Sequence, residues 1–238
     1  MNLRLYSFWR SSSAWRVRIA LGLKGLHYSY TAVDLVAGEQ WGPEQAARNP
    51  THQVPVLEVL EAARPPRRLV QSMAIIEWLD EVHPSPPLLP PTADGRARVR
   101  ALAEHVNSGI QPMQNAIVLK RLREKVPGWD QEWARNAIAG GLTALETAVG
   151  DGGAGRFCHG DAPGLADCYL VPQLYNARRF GVETAGFPTL LRIEAACATL
   201  PAFQAAHPDR QPDAPRPAAA AAPGPSQASA GAPAGRPT

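Results

Sequence analysis

The stretch SSSAWRVR, residues 11 to 18, places three consecutive serines directly before an apolar pattern of helical spacing. The pattern runs from Ala14 to Leu23, and Gly25 is suited to end the helix. One serine would suffice as a cap, because its hydroxyl oxygen accepts a hydrogen bond from a free N–H of the first turn. A serine hydroxyl at a helix N-terminus can also hold an anion, such as a phosphate, a carboxylate or a thiolate. The stretch predicts a helix start, and both interpretations of its serines are open.

Strand and helix patterns surround this first helix in the order β-α-β, then β-β-α. The helix after the last strand runs from Ser72 to about Val82. A polar connection extends to about Pro50, and EAARPPRR (61–68) is typical of a turn. The strand candidates are LRLYSF (3–8), YSYTAVDL (28–35), QVPVLEVL (53–60) and the short RLVQS (68–72).

Prolines and glycines divide the rest of the chain. HPSPPLLPP has five prolines in nine residues, which predicts a linker over 83–91 between a domain of residues 1–82 and one of residues 92–207. The second domain is predicted to be all-α, with helical segments near 93–125, 130–149, 165–180 and 188–199. Residues 208–238 are rich in proline, alanine and glycine and predict a disordered tail.

Charge and hydropathy exclude two classes of partner. The chain has 238 residues, a formal net charge of +3 and 19% charged residues, so electrostatics offers no reason to expect nucleic-acid binding. No apolar run approaches the roughly 20 residues of a membrane-spanning helix, and the first residues carry no signal-peptide pattern. We therefore expect a soluble cytoplasmic protein without a membrane partner.

The cysteines Cys158, Cys168 and Cys197 are odd in number and form no C-x-x-C pair. This spacing indicates neither a disulfide framework nor a metal site, and we expect small buried side chains. The first 157 residues contain no cysteine, so a redox enzyme with its own N-terminal thiol is excluded. Any thiol chemistry must use a thiol that the protein borrows.

Three further features each allow two interpretations. Val54-Pro55 is either the ordinary start of a strand or a cis bond that turns the backbone outward toward a peptide-like ligand. Ser72 is either a plain N-cap or, with Gln71, part of a carboxylate cradle. For Arg16 and Arg18 we expect that at least one belongs to a solvated face.

Taken together, these features resemble the zeta-class glutathione transferases, the maleylacetoacetate isomerases, over about residues 3 to 213. The resemblance implies a thioredoxin-like α/β N-terminal domain followed by an all-α domain, and a homodimer with the 51–55 region and the helix after Ser72 near the partner. The family run is typically S-S-C-x-W-R-V-R, so Ser13 stands where cysteine is usual. A second departure is Gly164 in GLAD, at a helix cap that is usually serine or threonine, and we expect Asp167 there to be structural. The matching segments are RSSSAWRVRIALGLKG, NPTHQVPVLEV, LVQSMAIIEWLDEVHPSPPLLP, GIQPMQNAIVLK, WARNAIAGGLTALE, LADCYLVPQLYNARRFGV and AFQAAHPDRQPD.

The resemblance also implies a set of site residues, with glutathione as cofactor and no metal. Ser11 takes the position that hydrogen-bonds the glutathione sulfur, and a hydroxyl donor at a helix N-terminus independently favours thiolate over thiol. Arg179 takes the position that binds a substrate carboxylate, with Arg10 in support. Gln111 and Asn115 are expected at i,i+4 on one helix face, although interhelical hydrogen bonding is an equal alternative for them. The implied catalytic residues are Ser11, Ser12, Arg179 and Arg10, and the implied cofactor-binding residues are Ser11, Ser12, Ser13, Arg16, Gln40, Val54, Gln71, Ser72, Gln111 and Asn115.

The activity implied by the resemblance is glutathione-dependent cis-trans isomerisation of maleylacetoacetate in tyrosine and phenylalanine breakdown. The thiolate adds to the cis double bond, the bond rotates, and elimination returns glutathione. Maleylpyruvate isomerisation in the gentisate route, a general glutathione transferase and an α-haloacid dehalogenase remain alternatives. A non-catalytic binding module is the alternative from another class, and the presence of Arg179 argues against it.

Overall fold

The computed structural model describes residues 1–215, and its first helix begins and ends where the sequence predicts. Helix α1 spans Ser12–Leu23, and the Ser11 hydroxyl accepts a hydrogen bond of 3.2 Å from the Ala14 N–H. At its other end Gly25 has φ of 64°, a left-handed conformation that glycine adopts without strain. The Leu26 N–H then reaches back to the Leu21 carbonyl at 2.9 Å. The cap interpretation of the serine run is therefore confirmed for Ser11.

A mixed sheet carries the N-terminal residues, in the strand order β2-β1-β3-β4. Strand β1 is parallel to β2 and antiparallel to β3, and β3 is antiparallel to β4. This confirms the predicted β-α-β, β-β-α thioredoxin-like order. The connection expected to be irregular contains one more helix, α2, with Pro43 at its first position. The bounds are β1 Asn2–Ser7, β2 Ser29–Ala32, α2 Pro43–Arg48, β3 Val56–Leu60, β4 Arg67–Val70 and α3 Ser72–Val82.

The elements that follow α3 are all helices among residues 1–215, as predicted, but the expected helix over 93–125 is interrupted. A π-helical turn over His105–Ile110 and a 3-10 turn over Gln111–Gln114 separate two α-helices. Pro112 lacks the N–H that a continuing helix needs, and Asn115 caps the next helix by accepting from the Ile117 N–H at 3.0 Å. The expectation that Gln111 and Asn115 share one helix face is therefore wrong. The helices are α4 Ala93–Glu104, α5 Ala116–Lys125, α6 Trp129–Val149, α7 Leu165–Arg179, α8 Pro188–Ala198 and α9 Pro201–Ala206.

Helix α1 lies at the centre of the molecule, in contact with α3, α7 and α9. Every residue from Ala14 to Leu21 is buried, and Arg16 and Arg18 are each only 1% exposed. The expectation of a solvated basic face is therefore wrong, because neighbouring helices cover the side on which the arginines lie. The Arg18 guanidinium donates to backbone carbonyls, including that of Trp9 at 2.9 Å, and its burial lowers its pKa to about 10.

The proline-rich segment 83–91 lies against the end of α1. Lys24 donates from Nζ to the carbonyls of His83 and Pro86, both at 2.6 Å. Leu88 is buried, and its carbonyl accepts from the Leu165 N–H at the start of α7 at 2.9 Å. These contacts fix the path of the chain between the sheet and the helical residues that follow.

The chain remains packed beyond residue 207, where the sequence predicted a disordered tail. Pro208–Arg210 form a 3-10 turn, and Asp213 accepts hydrogen bonds from the Trp9 N–H at 2.9 Å and the Tyr30 hydroxyl at 2.6 Å. The prediction is wrong for residues 208–215, because polar contacts with the sheet hold a segment that lacks large apolar side chains. Residues 216–238 lie outside the described part of the chain. Within residues 1–215, no helix is long and apolar enough to cross a membrane.

Candidate active site

A cavity of about 820 Å³ opens where α1, α3 and the start of β3 face the helical residues. The structure brings almost every predicted site residue to this one cavity, although the role of each remains a prediction. Arg16 is the exception, since it lies behind the cavity wall rather than on it. The predicted residues on the wall are Arg10, Ser11, Ser12, Ser13, Gln40, Val54, Gln71, Ser72, Gln111, Asn115 and Arg179.

The serine run forms the wall at the N-terminus of α1. The Ser11 oxygen accepts from the Ala14 N–H, which leaves the hydroxyl hydrogen free to be donated into the cavity. Ser12 and Ser13, the first two residues of the helix, are half-buried on the same wall. A hydroxyl donor beside the positive end of a helix dipole suits a bound anion, including a thiolate. The cap and the anion site are therefore compatible in a single residue.

The Val54-Pro55 bond, which lies on the cavity wall, is cis. The side-chain amides of Gln45 and Asn49 both donate to the carbonyl of Gln53, at 2.9 and 3.0 Å, and so hold the turn that precedes it. Of the two interpretations, the cis bond is observed, and the binding of a peptide-like ligand beside it stays a prediction.

Gln71 and Ser72 line the cavity at the start of α3, and Gln71 rather than Ser72 is the N-cap residue. The prediction that Ser72 is the N-cap is wrong: Ser72 is already helical, and Gln71 precedes it with φ of 69°. The Ser72 oxygen instead accepts from Arg16 Nη1 at 3.2 Å and lies 3.2 Å from the Tyr169 hydroxyl. Burial keeps the Tyr169 hydroxyl protonated, because it raises the pKa to about 12.

Two cations, Arg10 and Arg179, line the same cavity as the serines. Burial and the nearby charge of Arg10 lower the pKa of Arg179, which donates to the Asn176 amide oxygen at 3.4 Å. Two cations close enough to repel each other create a strong preference for a carboxylate between them. Lys120 and Arg123 also line the cavity, and sequence reasoning missed them. The signal that could have found them is the basic run KRLREK at the end of α5.

Gln40 supplies a buried acceptor on the remaining wall. Its Nε2 donates to the Leu35 carbonyl at 3.4 Å, whereas its Oε1 is buried and has no hydrogen-bond partner within residues 1–215. A buried amide oxygen without a donor is unfavourable, so a ligand N–H at this position would stabilise it. Together the walls offer hydroxyl donors, an amide acceptor and cations, which fits a small acidic peptide that carries a thiol.

Two groups lie away from the cavity, as expected. Asp167 is buried and accepts from the N–H groups of Cys158 and Gly164, at 2.9 and 2.8 Å, so it holds the start of α7. Cys158, Cys168 and Cys197 are free and buried, and burial raises the pKa of each thiol. In the described part of the chain, no three potential ligands are grouped to hold a metal ion.

Comparison with known proteins agrees with this geometry. A model of the glutathione S-transferase N-terminal domain matches residues 1–81, and one of the C-terminal domain matches residues 69–221. The crystal structure of maleylacetoacetate isomerase from Anaeromyxobacter dehalogenans 2CP-1, with glutathione in its active site, is 72% identical with a TM-score of 0.84, and the match covers 90% of this chain and 98% of that one.

Two curated relatives extend the comparison. Maleylpyruvate isomerase of Ralstonia sp is 45% identical, over 89% of this chain and 99% of its own length. The zeta-class glutathione S-transferase of Euphorbia esula is 44% identical, over 92% of this chain and 95% of its own length. The chain therefore belongs to the glutathione S-transferase family, among the zeta-class maleylacetoacetate isomerases.

Proposed function

We propose that this protein catalyses the glutathione-dependent cis-trans isomerisation of maleylacetoacetate to fumarylacetoacetate, in the breakdown of tyrosine and phenylalanine. One observation carries the proposal: a single cavity joins the hydroxyls at the N-terminus of α1 to the cations Arg10 and Arg179. The hydroxyls suit a thiolate, and the two cations suit a dicarboxylate.

The residues of the cavity have separate roles in binding and catalysis. Bound glutathione supplies the thiolate that adds to the double bond and later leaves it. Ser11 donates its hydroxyl to the sulfur and so favours the thiolate form, with Ser12 beside it. Val54, Gln40 and Gln71 with Ser72 hold the peptide, while Ser13, Gln111 and Asn115 line the adjoining walls. Arg179 and Arg10 bind the substrate carboxylates and stabilise negative charge that develops during turnover.

An assay of maleylacetone and maleylpyruvate, each with and without glutathione, tests the proposal. We expect turnover only with glutathione and a higher kcat/KM for maleylacetone. Ser11→Ala should lower kcat by about 10- to 100-fold, because a hydrogen bond to a charged group contributes about 1.5–3 kcal/mol. A fully active Ser11→Ala enzyme would remove Ser11 from catalysis.

A second candidate is maleylpyruvate isomerisation in the gentisate route. The Ralstonia relative favours it, since it matches this chain over almost its full length and bears that name. Faster turnover of maleylpyruvate than of maleylacetone would establish this alternative. Conversion of α-haloacids without isomerisation would instead indicate a dehalogenase or a general transferase, and retention on immobilised glutathione without turnover would indicate a binding module.

The proposal includes a homodimer in the cytoplasm. The 51–55 region lies beside Trp41, which is 56% exposed and packs against His52 with ring centroids 4.9 Å apart. An exposed tryptophan is typical of an interface. The three free thiols suit a reducing compartment. Light scattering coupled to gel filtration should give twice the chain mass of 25.5 kDa.

A further inference from the structure

Arg16 is a cation enclosed within the protein that forms no ion pair with a carboxylate of residues 1–215. Its side chain is 1% exposed, and its Cζ lies 4.3 Å from the centre of the Tyr169 ring. Its Nε and Nη2 have no hydrogen-bond partner within residues 1–215. The carboxylate of Glu104 is linked to Arg16 by hydrogen bonds through Asn107, whose Nδ2 donates to that carboxylate at 3.1 Å. Because an unpaired buried charge is unfavourable, a counter-charge from a ligand would stabilise the protein.

The contacts of Arg16 place it directly behind the cavity. Its Nη1 donates to the Ser72 hydroxyl oxygen at 3.2 Å and to the Asn107 amide oxygen at 2.7 Å. Ser72 and Asn107 both line the cavity, whereas Arg16 does not. A ligand atom on the Ser72 hydroxyl would therefore be separated from the guanidinium by a single side chain.

These contacts also fix the direction of the hydrogen bonds at Ser72. A guanidinium has only donors, so the Ser72 oxygen accepts from Arg16. The protonated Tyr169 hydroxyl, 3.2 Å away, can donate to the same oxygen. The hydrogen of the Ser72 hydroxyl is then left for an acceptor in the cavity.

We propose that Arg16 is a positioning residue for the α-carboxylate of the γ-glutamyl group. It directs the Ser72 hydroxyl toward that carboxylate and supplies the enclosed charge that attracts it. The inference rests on the proposed binding of glutathione. It explains why the cavity would prefer a peptide that carries a carboxylate at its γ-glutamyl end. The N-terminus of α3 alone would offer only partial charges.

Calorimetric titration with three peptides tests this role through binding rather than turnover. Glutathione has both charged groups at its γ-glutamyl end, glutaryl-Cys-Gly keeps the carboxylate without the amine, and 4-aminobutanoyl-Cys-Gly keeps the amine without the carboxylate. Arg16→Gln should weaken the first two by about 10-fold or more and the third by less than about twofold, as expected for the loss of a close charge pair. Arg16→Lys, which keeps the charge, should recover most of the loss.

Arg18→Gln is the matched control, because Arg18 lies on the same helix, is equally buried, does not line the cavity and donates to Ser7 and to backbone carbonyls rather than to Ser72. It should lower stability without changing the relative affinities of the three peptides. Equal weakening of all three peptides by Arg16→Gln would overturn the proposal and leave Arg16 a packing role.

Two further outcomes separate the inference from the proposed function. If Arg16→Gln does not fold, the affinities of the native protein and of Arg16→Lys are compared instead. Equal affinity of the native protein for glutaryl-Cys-Gly and 4-aminobutanoyl-Cys-Gly would then overturn the inference. If the native protein binds none of the three peptides, the proposed function itself fails.

Discussion

Ser11, Ser12 and Ser13 are identical in chemistry but differ in position. Ser11 lies outside the helix and accepts from its first turn, whereas Ser12 and Ser13 are helical. Ser13 occupies the place at which the family run usually has cysteine. A cysteine there would have a lowered thiol pKa, because it would lie at the N-terminus of α1. The native protein therefore lacks a reactive thiol of its own beside the electrophilic substrate.

Substitution of Ser13 by cysteine should introduce a thiol that the substrate can alkylate. We expect Ser13→Cys to keep the initial rate within about twofold, because the proposed nucleophile is borrowed, and to lose activity progressively during turnover as the new thiolate is alkylated. Mass spectrometry of the protein after turnover measures the adduct. Ser13→Ala serves as control and should show no adduct, and an unmodified Ser13→Cys protein would contradict the prediction.

Gln71 combines a strained backbone with a position on the cavity wall. Its φ of 69° disfavours any residue other than glycine. Gln71→Gly should raise the free energy of unfolding by about 1 kcal/mol and weaken glutathione binding, because the side-chain amide is lost. Urea denaturation and calorimetry measure the two effects.

Ala63 provides the comparison for Gln71. It has φ of 61° in an exposed turn that does not line the cavity. Ala63→Gly should stabilise the protein by a similar amount and leave glutathione affinity unchanged. A loss of affinity in Ala63→Gly would show that the effect at Gln71 is not specific to the site.

At the scale of the element, helices with a polar residue at the start and a clear apolar periodicity were predictable from the sequence. Helix α3 begins and ends as predicted at Ser72 and Val82, and α1 follows its serine cap. The turns over 105–114 were not predictable, because apolar spacing continues through them and Pro112 is also tolerated in a first turn. The burial of Arg16 and Arg18 could not be predicted for a different reason, because helices distant in the sequence cover them. Local pattern therefore located the serines, and tertiary packing decided which charges face the cavity.

The junction between α5 and α6 should contribute to the acid sensitivity of the protein. Arg123 donates to Asp130 from Nη2 at 2.6 Å, and this hydrogen bond lowers the pKa of Asp130 below its ordinary 3.8. A lowered folded-state pKa contributes stability above the unfolded value that is lost as pH falls through the folded value. Arg123→Gln should therefore flatten the fall in unfolding free energy below about pH 4.

Lys120→Gln on the same helix is the control for this pH dependence. It also removes one positive charge, but within the described residues its side chain pairs with Glu124, at 3.9 Å, and not with Asp130. Chemical denaturation between about pH 2 and 6 should show the native slope in Lys120→Gln. An unchanged slope in Arg123→Gln would contradict the assignment to Asp130.

At the scale of the whole molecule, the last described residues contact the loop that precedes α1. Asp213 accepts from the Trp9 N–H and the Tyr30 hydroxyl, and Trp9 immediately precedes Arg10. The cavity also needs both parts of the chain, with serines from the sheet region and Arg179 from α7. The resemblance to the family could identify these residues, but only the packing of α7 against α1 could bring them to one cavity.

Removal of the Asp213 carboxylate should loosen the segment before the serine run. Asp213→Ala is expected to lower the free energy of unfolding by about 2 kcal/mol, because two donors lose a charged acceptor, and to reduce kcat. Asp209→Ala, in the same segment with an exposed side chain, should change neither quantity by much. Urea denaturation with the maleylacetone assay measures both, and equal effects of the two substitutions would refute the role of Asp213.

The contact between Trp9 and Asp213 has a consequence for the order of events during protein synthesis. The hydrogen bond that secures the loop before the residues that would activate the thiol comes from a residue that the ribosome makes more than 200 positions later. N-terminal segments generally fold first as a chain emerges. The sheet can therefore form before the active-site loop is firmly held, because that loop must await the synthesis of Asp213.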